Sequence, residues 1–488
     1  MLTRILKYSC YILLGGMVIT GCKKLEDINH DPTKPTTTEP QYLLTGAEKS
    51  AMDILYAGPQ NGRTAMAYAQ YWTGNDKAND ARYLLDEGIN APIWNNLYSV
   101  SLHNLNEIIR LNQESPLPVS ANQIAIAQIL KAWIYQILTD TYGNIPYTDA
   151  LQDVKNIRPK YDDAQTIYNS LLDTLAQQAA ALDPAQGSFP TGDVIFKGNV
   201  AAWKKLAHSL MLRLAIRMAD ADPAKAKSVI EANWQNAMTS NADSAVFKYL
   251  SAAPNKFPYN ESERELSEFF VTSTLVDYMA SVNDPRLPVF ARPTKLDTVY
   301  RGLAYGTSES NPSRLPPSGY SYPGTRIYAA DMSGILMTYP EVEFILAEAA
   351  ARGMVVGGDA ATHYQNGVRA SLEFWGITNA DSVNAYLQRV PYNEGDWRNV
   401  IGTQKWLALY PQGLQGWFER LRLNFSKPNG DSLFIAPVDG SLDQNVTFVP
   451  YRLTYPVSEQ QQNNASYQAA ASAIGGDTKG VKLWWNKQ

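Results

Sequence analysis

The chain has 488 residues, 45% of them hydrophobic, and a formal net charge of −5, enough length to bury one large core or two to three smaller ones. The balance of charge offers no basic excess, and no Lys/Arg cluster is interleaved with aromatics, which argues against nucleic acid as a partner. Only two cysteines are present, Cys10 and Cys22.

At the amino end, Arg4 and Lys7 precede an apolar run at positions 8–19, too short to cross a bilayer and suited to the apolar region of an export signal. Ile19-Thr20-Gly21-Cys22 then reads as a lipoprotein cleavage site, with residues 1–21 removed and Cys22 acylated. Several acyl chains on Cys22 would hold the mature chain stably at a membrane surface. Loss of Cys10 with the signal leaves no partner for a disulfide. Residues 22–40, with Pro32, Pro35 and Pro40, read as a tether, and 41–488 as one domain.

From position 41 the pattern is mainly α. Helices are predicted over about 94–112, then after Ser120, whose spacing to Gln123 is that of a capping box, with Ile126, Ile129, Leu130, Trp133 and Ile137 on one face. Asp162 with Gln165 repeats the device before Ile167, Leu171, Leu172 and Leu175, and Asn199 precedes the stripe Trp203, Leu206, Leu210 and Leu214. Further helices are expected over 224–238, 266–280, 341–352, 360–375 and 403–423, the pair 341–352 and 360–375 forming a hairpin across a glycine-rich turn. Strands should be few and short. Between the helices lies an irregular block, 292–332, with Pro293, Pro312, Pro316, Pro317 and Pro323, and a stretch of that size within a domain reads as a functional loop.

Candidate chemistry is sparse. His30, His103, His208 and His363 are scattered without metal-ligand spacing, and no nucleophile elbow or phosphate-cradling glycine loop is present. Glu341, Glu343 and Glu348 fall within one helical stretch, where cap and surface roles are expected in preference to a glycosidase pair. Binding chemistry is better represented: 29 Tyr and 11 Trp outnumber 13 Phe, a bias toward rings with a polar handle. Two loops set such rings beside short polar groups, as recognition of a sugar's C–H face and hydroxyls requires. Their candidate ligand contacts are Trp72, Asn75, Asp76 and Tyr83 in the first, and Tyr305, Tyr320, Tyr322 and Arg326 in the second.

Motifs in order along the mature chain give a family resemblance. They are Asn29-His30-Asp31-Pro32, Trp94-Asn95-Asn96-Leu97-Tyr98, Tyr142-Gly143-Asn144-Ile145-Pro146-Tyr147, Trp203-Lys204-Lys205-Leu206-Ala207-His208-Ser209-Leu210, Asn283-Asp284-Pro285-Arg286-Leu287, the helix begun by Glu341, Thr403-Gln404-Lys405-Trp406 and Leu483-Trp484-Trp485. The chain resembles SusD/RagB-type outer-membrane nutrient-binding lipoproteins, in the SusD-like branch described as starch-binding and associating with the outer membrane; His208 stands where that family usually has Asn. The resemblance implies tetratricopeptide-like helical hairpins in a right-handed scaffold with a loop-rich ligand side. It also implies a non-enzymatic receptor on the cell exterior that passes an oligosaccharide or other oligomeric nutrient to a SusC-type TonB-dependent transporter; from the residues themselves no cofactor and no histidine-built metal site is expected. The alternatives left open are a lipid-anchored glycoside hydrolase and a helical-repeat envelope scaffold for protein partners. The matched motifs read as scaffold, with Asp284-Pro285-Arg286 a turn held by an ion pair.

Overall fold

A computed structural model describes residues 38–84, 86–114, 120–261 and 267–488. The proposed signal, Cys22 and most of the tether lie outside these residues. Pro40 to Gln488 cluster as one compact unit. Among the described residues fifteen α-helices of six residues or more run through it: α1 Pro40–Leu55, α2 Glu87–Asn96, α3 His103–Glu114, α4 Ala121–Tyr142, α5 Ala164–Ala181, α6 Val200–Arg217, α7 Pro223–Asn233 and α8 Ser273–Ser281, followed by α9 Tyr339–Ala351, α10 Ala360–Phe374, α11 Ala380–Arg389, α12 Trp397–Ala408, α13 Gly413–Leu423, α14 Val457–Gln462 and α15 Asn464–Ala473. Successive members from α3 to α7 pack in pairs, α9 packs with α10 and α12, and α6 joins the two groups by packing on α9. The mainly α, hairpin-built architecture is therefore the one expected from periodicity, and no helix of the described residues is long and apolar enough to cross a membrane.

Local signals explain most boundaries. Ser120 Oγ accepts the Gln123 amide at 3.3 Å, and Asn199 Oδ1 accepts that of Ala202 at 3.1 Å, each satisfying an N–H left open by the first helical turn. The capping box at Ser120 is only half made, because the Gln123 side-chain oxygen accepts instead from Asn112 Nδ2 at 3.0 Å and the Ser120 N–H turns to Asn112 Oδ1 at 3.2 Å. At α5 the cap is Asp163, which accepts from Gln165 and Thr166, and not Asp162. Asp162 belongs to a strand and takes the backbone N–H groups of Tyr147 and Thr148.

Three predicted helices are interrupted. Between α2 and α3 the chain widens to a π-helical stretch, Leu97–Leu102. The described part of the segment predicted over 266–280 is a strand followed by α8, because Phe269 to Val271 pair with Trp72 to Gly74. The stretch 403–423 breaks between α12 and α13 around Pro411, whose ring nitrogen cannot donate to a helix. Six short strands make three antiparallel pairs: β1 Trp72–Gly74 with β5 Phe269–Val271, β2 Ile145–Pro146 with β3 Tyr161–Asp162, and β4 Ala245–Lys248 with β6 Ser333–Met337.

The centre of the helical body carries charge. Arg213 on α6 makes paired bonds of 2.6 and 2.7 Å to Glu341 at the start of α9, and Arg217, one turn on, meets Asp140 of α4 at 2.6 Å. Asp140 also accepts the indole N–H of Trp485 at 2.9 Å, which ties the carboxyl-terminal segment to α4. Glu348 grips Arg422 through bonds of 2.6 and 2.7 Å, while Lys405 meets Glu419 at 2.7 Å. Glu343 bonds Tyr339 and His363. The three glutamates of α9, expected as cap and surface charges, are thus all buried and partnered.

One buried acid is differently placed. Glu48 of α1 accepts the Val194 amide at 2.9 Å, but burial and the neighbouring Asp193 hold its carboxyl well above the usual range. An acid whose folded pKa is raised favours folding most below its unfolded pKa, about 4.3, and loses that contribution as pH rises toward the folded value. Glu48→Gln keeps the acceptor for Val194 without the ionisation. We expect urea midpoints of this variant to equal or exceed wild type at pH 7.5, with the wild-type advantage, if any, confined to pH 4.5 and below.

Candidate functional site

The irregular block is long yet firmly fastened. Backbone bonds run from Leu303 to Val271 and from Ser273 to Leu303, both at 3.0 Å, so the block adds a third element beside β5. Val271 also donates to Ser321 O at 3.0 Å, Ser321 to Arg301 O at 2.8 Å, and Arg292 to Tyr322 O at 2.9 Å. A third loop joins through Asp439, which accepts the Ser308 N–H at 2.6 Å and the Asn311 amide at 2.9 Å. Arg82 closes the assembly by donating to the carbonyls of Gly440 and Asp439. Three segments distant in sequence therefore form one loop face.

Close backbone approach makes this possible at Gly302, where a Cβ would lie 2.2 Å from the carbonyl carbon of Thr272. Gly302→Ala should push the block off β5, at a cost of about 1–3 kcal/mol for overpacking. The expected readout is faster proteolytic cleavage within 292–332 than in wild type under native conditions.

The residues predicted as ligand contacts divide sharply. Trp72, Tyr83 and Tyr305 are wholly buried, with 0% exposure, so none presents a face to solvent. Pairing of β1 with β5 turns Trp72 inward, against Phe269 and Tyr259, and its indole N–H donates to Tyr410 Oη at 2.9 Å. Tyr83 packs between Tyr68 and Tyr305 and donates to Phe448 O; burial pushes its phenol up to about 12. Tyr320 is also buried, its ring on Phe270 and its hydroxyl accepting the Leu315 N–H at 2.9 Å. These rings are the adhesive of the loop face.

Tyr322 is half-buried, and Arg326 and Asp76 are exposed. Asn75 is half-buried and works as a staple: its amide donates to Ser267 O at 2.8 Å and its Oδ1 accepts from Arg314 at 3.1 Å. Two further arginines, Arg292 and Arg314, complete the arrangement. The Arg292 guanidinium lies 5.2 Å from the ring centroids of both Tyr322 and Tyr328 and donates to Tyr328 Oη at 3.1 Å. Arg314 lies 5.8 Å from the centroid of Phe270, on which Tyr322 also packs at 5.0 Å. The face thus shows two half-exposed phenols held at fixed spacing by a cation, with Arg326 four residues after Tyr322, on the helical turn Thr325–Tyr328. Arg292 and Tyr328 could be anticipated only from their place in the tyrosine-rich block, since their pairing is a contact across the turn.

The helical body holds two further cavities. One, of about 530 Å³, is lined by Trp94, Tyr98, His103, Leu151, Asp153 and Glu459 among others. The second, of about 310 Å³, lies between α3, α4 and α5 and shares Ala150 and Leu151 with the first. No group of three or more His, Cys, Asp or Glu able to hold a metal ion is found among the described residues.

Solved structures share this hairpin-built helical body with its face of interlocked loops. A chitin-binding protein superposes with a TM-score of 0.82 at 26% identity, covering 92% of this chain and 100% of its own. A SusD homologue from Bacteroides uniformis gives 0.78 at 25% identity, with 92% and 100% covered. A chitin-binding SusD homolog from Flavobacterium johnsoniae gives 0.79 at 22% identity, with 91% and 98% covered, and at that identity speaks for the fold alone. No protein of curated function matches the sequence significantly. The family profile described as starch-binding associating with outer membrane matches residues 32–456, and the chain belongs to this SusD-like family.

Proposed function

We propose that this protein is a non-enzymatic surface receptor that binds an oligosaccharide on its loop face and delivers it to a SusC-type TonB-dependent transporter, anchored to the outer membrane through acylated Cys22. Support comes from the family description, which names starch binding and the outer membrane, and from the chitin-binding protein at 26% identity. The observation that carries the reading is the Tyr322, Arg292 and Tyr328 group. Ring faces take the C–H surface of a sugar, while the guanidinium groups of Arg292 and Arg326 and the carboxylate of Asp76 meet its hydroxyls. Sequence reading also offered Trp72, Tyr83, Tyr305 and Tyr320; in this proposal they and Asn75 support the face from within.

The hydrolase alternative needs two carboxyls free to exchange protons about 5 to 10 Å apart. The buried acids Glu341, Glu348, Asp140 and Asp284 are each committed to an arginine, which favours binding over hydrolysis. Calorimetric titration with malto- and chito-oligosaccharides, alongside reducing-end assays of the same mixtures, tests the proposal. Saturable binding without new reducing ends is expected; release of shorter sugars would overturn it. Mass spectrometry of the native amino terminus should show an acylated Cys22, and an unmodified end would remove the anchor.

A further inference from the structure

Lys131 of α4 makes no ion pair with a carboxylate among the described residues. It projects from α4 into the cavity of about 310 Å³, where its ammonium donates to Asn106 Oδ1 at 3.0 Å. Burial alone, with no carboxylate contributing, lowers its pKa to about 8. The deeply buried lysines of the protein are treated otherwise: Lys405 meets Glu419 at 2.7 Å and Lys479 meets Asp443 at 2.9 Å. Lys131 is half-buried, and an ammonium partly withdrawn from water and held only by a neutral amide carries a cost that an anion supplied from outside would offset.

The surroundings suit a small polyol. Amides of Asn106 and Gln128, hydroxyls of Thr148 and Thr174, and the phenols of Tyr135 and Tyr147 line the same space, offering both donors and acceptors. A volume of this size is at the lower end of the range for small-molecule sites and matches one sugar ring, not a chain of them. One wall is formed by Ala150 and Leu151, and Leu151 holds a left-handed backbone with φ 61°. A non-glycine residue in that region costs about 1–3 kcal/mol and persists where its surroundings fix it, commonly beside ligand sites.

We propose that this cavity is a second ligand site, separate from the loop face, that takes a single sugar-sized polyol bearing one carboxylate or sulfate, with Lys131 as the counter-ion. The site does not depend on the loop-face reading, since none of its residues belongs to the three loops that build that face.

The test is calorimetric titration of the purified protein with glucuronate, glucose 6-sulfate, neutral glucose and inorganic sulfate. Binding of at least one charged sugar, ten-fold or more tighter than glucose, is expected, and the two charged probes distinguish carboxylate from sulfate ester. Lys131→Gln should abolish that preference. Thr174→Val, which removes one hydroxyl and keeps the cation, should weaken the charged sugar several-fold with circular dichroism unchanged. Tyr322→Ala should leave this binding intact while impairing the loop face, which separates failure of one proposal from failure of the other. Equal affinity for charged sugar and glucose, inorganic sulfate binding as tightly as the sulfated sugar, or undiminished preference in Lys131→Gln would each overturn the proposal.

Discussion

Replacing Arg422 with methionine should lower the stability of the protein by about 3–5 kcal/mol, the usual cost of removing one partner from a buried ion pair. Arg422 is 1% exposed and makes a two-pronged contact with Glu348, a bond of 2.7 Å from Nε to Glu419, and a bond of 3.2 Å to the carbonyl of Ile216. It therefore joins α6, α9 and α13. Without it, two carboxylates remain in the interior with Lys405 and Arg352 as partial compensation. Burial opposes ionisation of Glu348 and Glu419, yet Arg422 and its neighbouring cations more than reverse this and hold both carboxyls below the usual range.

A depressed acid contributes stability that is present above its unfolded pKa, about 4.3, and is lost as pH falls through the folded value. The wild type should therefore lose stability on acidification from pH 4.5 downward. In Arg422→Met the two glutamates regain pKa values set by burial, so the variant's deficit should shrink as pH falls. Urea midpoints measured at pH 7.5, 5 and 4 would show this; a deficit independent of pH would mean that lost packing, not lost charge pairing, is the cause. Arg422→Lys should recover only part of the loss, because an ammonium cannot span two oxygens of Glu348 in one plane.

The second large effect is expected at the loop face. Tyr322→Ala combined with Tyr328→Ala should weaken oligosaccharide binding at least ten-fold, about 1.4 kcal/mol, since aromatic contacts contribute about 0.5–1.5 kcal/mol each beyond the area they bury. Both rings are half-buried and contact Arg292, Tyr322 packing also on Phe270 and Tyr328 on the edge of the main core, so a urea midpoint of the double variant separates lost binding from lost stability. Trp72→Ala offers the contrast. Its ring is fully buried against Phe269, Tyr259 and Tyr410, and truncation should cost about 3–5 kcal/mol of stability. Equal affinity of wild type and the double tyrosine variant for every bound glycan would place the ligand elsewhere on the protein.

The helical scaffold was legible because its signals are local. Apolar spacing of 3.6 residues, Ser120 and Asn199 before their stripes, and glycines after α9 act over a few residues, and the folded chain keeps them. Errors arose where a distant segment competed. Phe269 to Val271 carry a pattern compatible with a helix, but the edge of Trp72 to Gly74 captures them as a strand. Asp162 and Asp163 are equivalent as caps in sequence, and pairing of β2 with β3 decides which of them faces the helix end.

Composition and periodicity by themselves determined a mainly α chain with one long irregular block, and the ordered motifs pointed to its family; both depend on short-range pattern or on residue identity. Apart from the Asp284–Arg286 pair, local enough to be read from the sequence, only the tertiary structure decided which aromatic rings face outward and which charges pair. Tyrosine has an apolar body and a polar tip, so it serves equally well in a core, where the buried Tyr83 donates to the Phe448 carbonyl, and at a surface, where Tyr322 lies half-exposed beside a guanidinium. That choice depends on desolvation by segments hundreds of positions away, which no local pattern records.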